Sequence, residues 1–287
     1  MASSLKGIRK RIGSVRNIQQ ITKAMKMVSA ARLRRAQEAA LAARPYAEKL
    51  EAVLRNLAAR RETLTHPFLA RREEARVDLL FVGSDRGLCG SYNANLLRTA
   101  QEFLKDAQSK GRTVAVTVVG RKGFEHFERR RVAVAERYLN LYARYGPELA
   151  QNIADKLGGR LASGESDAVY ALYSRFRSTL SQVPRLERLL PIEAGGGEGA
   201  PLEYLYEPAP QELVARLLGR YLHMLVHRAL LEGAASEHAA RMSAMDNATT
   251  NAVEMIGRLT LDMNRARQAT ITRELLEIVA TGEALRA

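Results

Sequence analysis

Apolar and small residues recur at helical spacing near the C-terminal end of the chain. Their steps of four and three alternate strictly for about 40 residues, which is the 3.5-residue period of a left-handed coiled coil. The positions are Leu231, Ala235, His238, Met242, Met245, Thr249, Ala252, Ile256, Leu259, Met263, Ala266 and Thr270. Few of them are Leu or Ile, so the pattern predicts a regular coiled-coil seam filled with weakly packing side chains.

A second apolar pattern begins near the N-terminus, at Leu5, Ile8, Ile12, Val15, Ile18, Ile21, Met25 and Val28. Steps of three are more frequent here than a heptad allows, which predicts a stripe that winds slowly around a helix. An Ala-rich stretch continues the helix through Ala59, with a kink expected at Pro45.

Proline is absent before Pro45 and after Pro210, so two long helices are expected at the ends of the chain. A helix from Gln211 to about Leu285 would be roughly 110 Å long at 1.5 Å per residue. Each helix has an apolar stripe to bury, and the simplest partner for one is the other.

The middle of the chain alternates between strand and helix patterns. Residues 77–85, 113–120 and 167–177 are predicted strands, and residues 93–111 and 147–164 are predicted helices. This alternation predicts a parallel or mixed sheet covered by helices. The expected division is an N-terminal helix (1–60), a linker (61–76), an α/β domain (77–192), a linker with a flexible Gly-rich loop (193–210) and a C-terminal helix (211–287).

Positive charge is concentrated in the first part of the chain. The formal net charge is +14, and residues 1–76 hold 18 Lys and Arg against 6 acidic residues. This imbalance implies an acidic partner for the N-terminal segment. The single Cys89 excludes an internal disulfide, and the sequence has no apolar run of the ~18 residues that a membrane span requires.

Two weak motifs suggest enzymatic alternatives. The loop at residues 83–93, GSDRGLCGSYN, lies between a strand and a helix, but it matches neither common phosphate-binding fingerprint, so a plain turn is favoured over a nucleotide site. His223 and His227 have helical spacing for a metal, but no third ligand is evident, and ordinary packing is favoured.

Two polar segments indicate contacts with other proteins. The basic run at residues 23–36 lacks the interleaved aromatic residues expected of a nucleic-acid site, which favours acidic loops of a protein partner. The run at residues 263–279 crowds polar side chains and Thr around one helix, although Thr lowers helix propensity. A surface that contacts several neighbours explains this composition.

Residues 17–37, 85–96 and 235–279 together resemble the gamma subunit of the F-type ATP synthase. The resemblance runs from about Leu5 to Leu285. It implies an antiparallel coiled coil of the two terminal helices with a Rossmann-like α/β domain. It also implies a non-catalytic rotor shaft without cofactors, placed inside a ring of three alpha and three beta subunits. The α/β domain is expected to meet the epsilon subunit and the c ring.

The resemblance also assigns contact residues. Contacts with the acidic loops of beta are expected at Lys23, Met25, Lys26, Arg32, Arg34 and Arg35. The upper contact with the ring is expected at Arg267, Gln268 and Thr272, with Arg241 further down the helix and residues 276–285 as an apolar tip.

The family motif begins within the first few residues, which favours a bacterial chain at the cytoplasmic face of the cell membrane, without direct membrane insertion. The chloroplast type of dithiol switch is excluded, because the sequence has one cysteine. Two alternatives from other classes remain: a basic coiled-coil adaptor that binds nucleic acid, and a nucleotide-dependent enzyme that uses the loop at residues 83–93.

Overall fold

The computed structural model describes residues 5–59, 66–141, 145–192 and 210–284. Its elements are α1 (Leu5–Ala59), β1 (Arg76–Val82), α2 (Tyr92–Ser109), β2 (Thr113–Val119), α3 (Arg121–Arg129), β3 (Val134–Tyr138), α4 (Pro147–Ala162), β4 (Ala168–Phe176), β5 (Gln182–Leu190) and α5 (Pro210–Ala284). Two long terminal helices and a central α/β sheet confirm the predicted fold class.

The described residues form two compact units. Residues 5–28 and 242–284 form the coiled-coil unit, and residues 29–241 form the α/β unit. The predicted five-part division stays a prediction. The Gly-rich loop at residues 193–201 and the tip residue Leu285 lie outside the described residues.

The sheet of the α/β unit has the strand order β3-β2-β1-β4-β5. β1 pairs in parallel with β2 and β4, β2 pairs in parallel with β3, and β5 is antiparallel to β4. The order 3-2-1-4 is that of the first four strands of the Rossmann fold. Central β1 is buried at six of its seven residues, because its sequence RVDLLFV is apolar on both faces of the sheet.

The sequence patterns predicted the three inner strands and missed the two edges. β3 (VAERY) alternates between half-buried and exposed residues, and β5 carries Pro184 and several charges. Edge strands tolerate proline and charge because one of their sides has no hydrogen-bonded neighbour. The short helix α3 was missed as well, since its RKGFEHFER sequence contains few apolar residues.

Helix α5 packs closely on the sheet within the α/β unit. Ala240 joins the core cluster around Leu79, Phe81 and Leu96. At Gly233 an added Cβ would lie 2.8 Å from Val82 Cγ1, so the backbone of α5 approaches β1 more closely than any side chain permits. Nearer the start of α5, Val214 and Leu218 pack with Leu50 of α1.

In the coiled-coil unit α1 and α5 run antiparallel. The Thr22 and Thr249 hydroxyl oxygens are 2.8 Å apart, and Lys26 Nζ lies 2.6 Å from Asp246 Oδ1. A step forward along α1 is therefore a step backward along α5. The predicted α5 seam is buried or half-buried from Met242 through Ala266, but Thr270 is exposed.

The N-terminal stripe was predicted correctly at Leu5, Ile8, Ile12, Val15 and Met25, which are buried or half-buried, and wrongly at Ile18, Ile21 and Val28, which are exposed. In this unit the buried or half-buried positions Leu5, Ile8, Ile12, Val15, Gln19, Thr22 and Lys26 follow the strict four-three alternation of a heptad, and Gly7 and Met25 are half-buried beside them. Two of these heptad positions are polar, Gln19 and Thr22, so the pattern of apolar residues selected the adjacent Ile18 and Ile21 instead. Ile18 and Ile21 are 53% and 59% exposed in this unit, and Val28 is 53% exposed.

Among the described residues, none of the helices combines the length and apolarity needed to cross a lipid bilayer.

Candidate functional site

The predicted contact residues of the coiled-coil unit lie on its surface to different degrees. Lys23 is exposed and Met25 is half-buried beside the seam. Lys26 is also half-buried and forms the ion pair with Asp246, so this predicted contact residue already has a partner on the opposite helix. The three neighbouring residues therefore differ in how much of each side chain a partner could reach.

Three arginines of the same motif belong to the α/β unit. Arg32, Arg34 and Arg35 are exposed. Arg34 Nε donates to Glu38 Oε1 at 2.9 Å, but both side chains are mostly in solvent. An exposed pair of this kind holds its charges weakly, so a partner can compete for the guanidinium group.

The polar segment near the end of α5 projects its side chains into solvent. Arg267, Gln268 and Thr272 are exposed, as is every residue of the range 271–282. The range includes apolar side chains with about half or more of their surface exposed: Ile271, Leu275, Leu276, Ile278 and Val279. Several exposed apolar side chains on one short segment are typical of a surface that contacts another protein.

Arg241 is the predicted contact residue with the most intramolecular partners. Its guanidinium group donates to the carbonyl oxygens of Arg86 (3.0 Å) and Gly87 (3.2 Å), and it pairs with Glu237 Oε1 at 2.8 Å. Only 7% of Arg241 is exposed. Its position therefore joins helix α5 to the loop that follows β1, and its predicted partner contact stays a prediction.

The loop between β1 and α2 is held from several directions. Asp85 Oδ1 accepts the backbone N–H groups of Arg121 (3.0 Å) and Asn140 (2.9 Å). The Ser84 hydroxyl donates to the Arg86 carbonyl oxygen at 2.8 Å. Tyr92, at the start of α2, donates its hydroxyl to the Gly233 carbonyl oxygen of α5 at 3.1 Å. The loop is therefore rigidly held, and helix α5 packs against it.

This arrangement explains why the loop is not a nucleotide site. Ligands of parallel α/β sheets bind at the carboxyl ends of the strands, where the strand order reverses. In this chain β1 and β4 meet at that point, and helix α5 covers it through Gly233 and Ser236, whose hydroxyl donates to the Ser174 carbonyl oxygen at 2.8 Å. The loop offers carbonyl oxygens to Arg241, whereas phosphate binding requires N–H donors.

Burial sets the charge states around Arg241. Desolvation raises the pKa of Glu237, and the neighbouring Arg241 opposes that shift. Desolvation lowers the pKa of His238 to about 4, and the positive charge of Arg241 adds to the effect. Arg241 Nη1 lies 3.4 Å from His238 Nδ1, which suits a neutral imidazole that accepts at Nδ1. Burial also raises the pKa of Cys89, so its thiol is a poor nucleophile.

Sequence reasoning missed most of this cluster. Glu237 and Arg241 stand at i and i+4 on a helix, the spacing of an ion pair, and that signal could have found them. No sequence signal identified Asp85 or Tyr92, because their partners are 36 to 141 residues away along the chain. The pair His223 and His227 forms separate contacts: His223 Nε2 lies 2.6 Å from Asp155 Oδ1, and His227 is half-buried with a pKa lowered by desolvation.

The antiparallel pair of long terminal helices, and the α/β unit whose crevice is covered by its own helix, define the class of protein as α/β with long terminal helices. A family model described as ATP synthase matches residues 4–285. Over 99% of both chains, the protein is 49% identical to an ATP synthase gamma chain of Anaeromyxobacter sp. (strain Fw109-5) and 48% identical to one of Anaeromyxobacter sp. (strain K). The chain belongs to the family of ATP synthase gamma chains.

Solved structures agree with this assignment. A chain of the central stalk and c-ring structure of the Tetrahymena thermophila mitochondrial ATP synthase has a TM-score of 0.63 at 25% identity, and the match covers 79% of this chain and 99% of that one. A chain from the Euglena gracilis enzyme in rotational state 3 shares the fold with a TM-score of 0.68 at 20% identity, over 98% of this chain and 94% of that one.

The protein is thus the central rotor shaft of an ATP synthase. It transmits the torque that couples proton flow to ATP synthesis or hydrolysis, and it has no catalytic activity of its own. The comparisons give no support to the nucleic-acid alternative.

Proposed function

We propose that the coiled coil turns inside a ring of three alpha and three beta subunits, at the cytoplasmic face of a bacterial membrane. In this proposal the α/β unit meets the epsilon subunit and the c ring, and no nucleic acid is bound. The observation that carries the proposal is the exposed, partly apolar surface of residues 271–282. Such a surface is unfavourable in water, but a surrounding sleeve of protein would cover it.

The basic surface is proposed to contact acidic loops of the beta subunits. Lys23, Arg32, Arg34 and Arg35 are exposed and available for such contacts, and Met25 is partly so. Exposed charges attract partners over distances of about 10 Å at moderate salt without locking them in one position. Weak contacts of this kind suit a shaft that exchanges its neighbours at every step.

The upper contact is proposed at Arg267, Gln268 and Thr272. All three are exposed on α5. Their side chains can therefore serve partners without weakening the coiled coil.

Reconstitution with alpha, beta and the membrane sector tests the proposal. Replacing both Arg34 and Arg35 with Glu should repel the acidic loops and reduce assembly or the proton pumping driven by ATP.

Met25→Lys should add a cation beside those loops, stabilise some rotor angles too strongly and weaken coupling. Arg258→Glu is the matched control on α5, because Arg258 is exposed but is not among the proposed contacts. Normal coupling in both test variants would contradict the proposal.

Nucleic-acid binding is tested separately. The purified chain should bind duplex DNA only through its net charge, without sequence preference. Sequence-specific affinity at physiological salt would favour the adaptor alternative.

A further inference from the structure

A cavity of about 680 Å³, open to solvent, lies within the α/β unit and shares no lining residue with the Arg241 cluster. Residues of α1, of α5 and of the β4–β5 hairpin form its walls. Its volume is within the range of ~300–1,000 Å³ that is typical of small-molecule sites. None of the proposed subunit contacts lines it, so the rotor function does not account for it.

One side of the cavity is apolar. Phe176 at the end of β4 and Met224 and Leu231 on α5 contribute large side chains, and α1 contributes mostly alanines. Small residues on α1 leave the space open, since larger side chains at the same positions would fill it.

The other side of the cavity carries three guanidinium groups. Arg228 Nη2 and Arg185 Nη2 both donate to Glu187 Oε1, at 2.6 and 3.2 Å, and the Tyr173 hydroxyl donates to Glu187 Oε2 at 2.6 Å. Within the described residues, no hydrogen bond or ion pair fixes the guanidinium group of Arg175. Arginine has five N–H donors, so this wall has more donors than Glu187 can accept.

Two buried polar atoms on α5 also lack partners among the described residues. They are Arg228 Nε and Glu232 Oε2. Native proteins satisfy the large majority of buried polar atoms, and exceptions indicate a water or ligand that would complete the network. Desolvation raises the pKa of Glu232, and the positive charges of Arg228, Arg175 and Arg185 oppose that shift.

We propose that this cavity binds a small amphipathic carboxylate. The carboxylate group would lie on the guanidinium groups of Arg175 and Arg185, and the apolar chain would pack against Phe176, Met224 and Leu231. Guanidinium and carboxylate groups form charge-assisted hydrogen bonds of matching geometry, which explains the choice of anion. The ligand would link α1, α5 and the sheet of the same unit.

The binding test uses the purified full-length chain and sodium octanoate in a calorimetric titration. Saturable binding of one octanoate per chain is expected. Octylamine has the same apolar chain with the opposite charge, and acetate has the carboxylate without the chain; both should bind at least about tenfold more weakly. Absence of saturable octanoate binding, which a merely hydrated cavity would give, would overturn the proposal.

Two matched pairs of variants locate the site. Arg175→Gln should weaken octanoate binding about tenfold, whereas Arg177→Gln, an exposed arginine that does not line the cavity, should leave it unchanged. Ala40→Phe should fill the space and abolish binding, whereas Ala39→Phe, at an exposed position outside the cavity, should not. Octylamine binding as tight as octanoate, or wild-type affinity in both Arg175→Gln and Ala40→Phe, would overturn the assignment.

Discussion

Arg241 and Arg258 form ion pairs of the same i,i+4 spacing on the same helix, in different environments. The Arg241–Glu237 pair is 2.8 Å long with side chains 9% and 8% exposed, whereas the Arg258–Glu254 pair is 4.0 Å long and 82% and 62% exposed. Breaking a buried pair leaves an uncompensated charge, whereas an exposed pair contributes little. The two pairs therefore differ in burial, in length and in the further hydrogen bonds that Arg241 donates to the loop.

Arg241→Met should therefore lower the free energy of unfolding by about 3–5 kcal/mol, and Arg258→Met by at most about 0.5 kcal/mol. Urea unfolding followed by circular dichroism measures both changes. The double variant Arg241→Met with Glu237→Gln should recover part of the loss, because it removes the unpaired carboxylate. Equal effects of the two single variants would show that Arg241 does not hold the loop at Arg86 and Gly87.

His238 makes stability depend on pH. Its pKa of about 4 in the folded chain is below the ordinary value of 6.5, so the unfolded chain binds a proton more readily between these values. Its stabilising contribution is complete above pH 6.5 and is lost as the pH falls towards 4, by up to about 3 kcal/mol. Glu237 opposes this trend, because its pKa is raised and the folded chain takes up its proton more readily.

The contribution of His238 is measured as the difference in the pH dependence of the free energy of unfolding between the wild-type chain and His238→Gln. Between pH 7 and pH 4 the free energy of unfolding should decrease less in the variant, and urea titrations across this range measure the decrease. Parallel pH profiles of the two chains would contradict a neutral, buried His238.

At the scale of elements, the contact of α5 with the sheet depends on glycine. Gly233→Ala should destabilise the chain by about 1–3 kcal/mol, because the added Cβ would lie 2.8 Å from the β-branched Val82 side chain. Gly219→Ala is the control on the same helix: nothing lies within 4 Å of its Cβ position, so helix propensity should stabilise the chain by about 0.5–1 kcal/mol. Thermal unfolding distinguishes the two, and changes of the same sign would show that α5 does not approach β1 so closely.

The pattern of apolar residues predicted the elements well wherever apolar side chains alone form the buried face. The α5 seam was predicted as far as Ala266, and the inner strands were located within three residues at each end. The α1 stripe was right at five of its eight positions and wrong at Ile18, Ile21 and Val28, because Gln19 and Thr22 occupy heptad positions that hydrophobicity does not reveal. Thr22 is acceptable there because its hydroxyl finds Thr249 across the seam.

At the scale of the whole molecule, the end of α5 contributes surface and no core. Every residue from 271 to 282 is exposed, so a chain that ends at Thr270 should keep its free energy of unfolding within about 0.5 kcal/mol. If this surface meets the ring, the shortened chain should lose coupling in reconstituted complexes, as measured by ATP-driven proton pumping. Full coupling in the shortened chain, or a large loss of stability, would contradict this division of roles.

The sequence by itself determined the long helices, the α/β class, the basic N-terminal segment and the family. These properties are local, or they repeat along the chain, and periodicity and composition record them directly. The tertiary structure decided which face of α1 is buried, that Arg241 binds the loop after β1, and that α5 covers the crevice between β1 and β4. The physical reason is that these contacts join residues far apart in the chain, and only folding brings their hydrogen-bonding groups together.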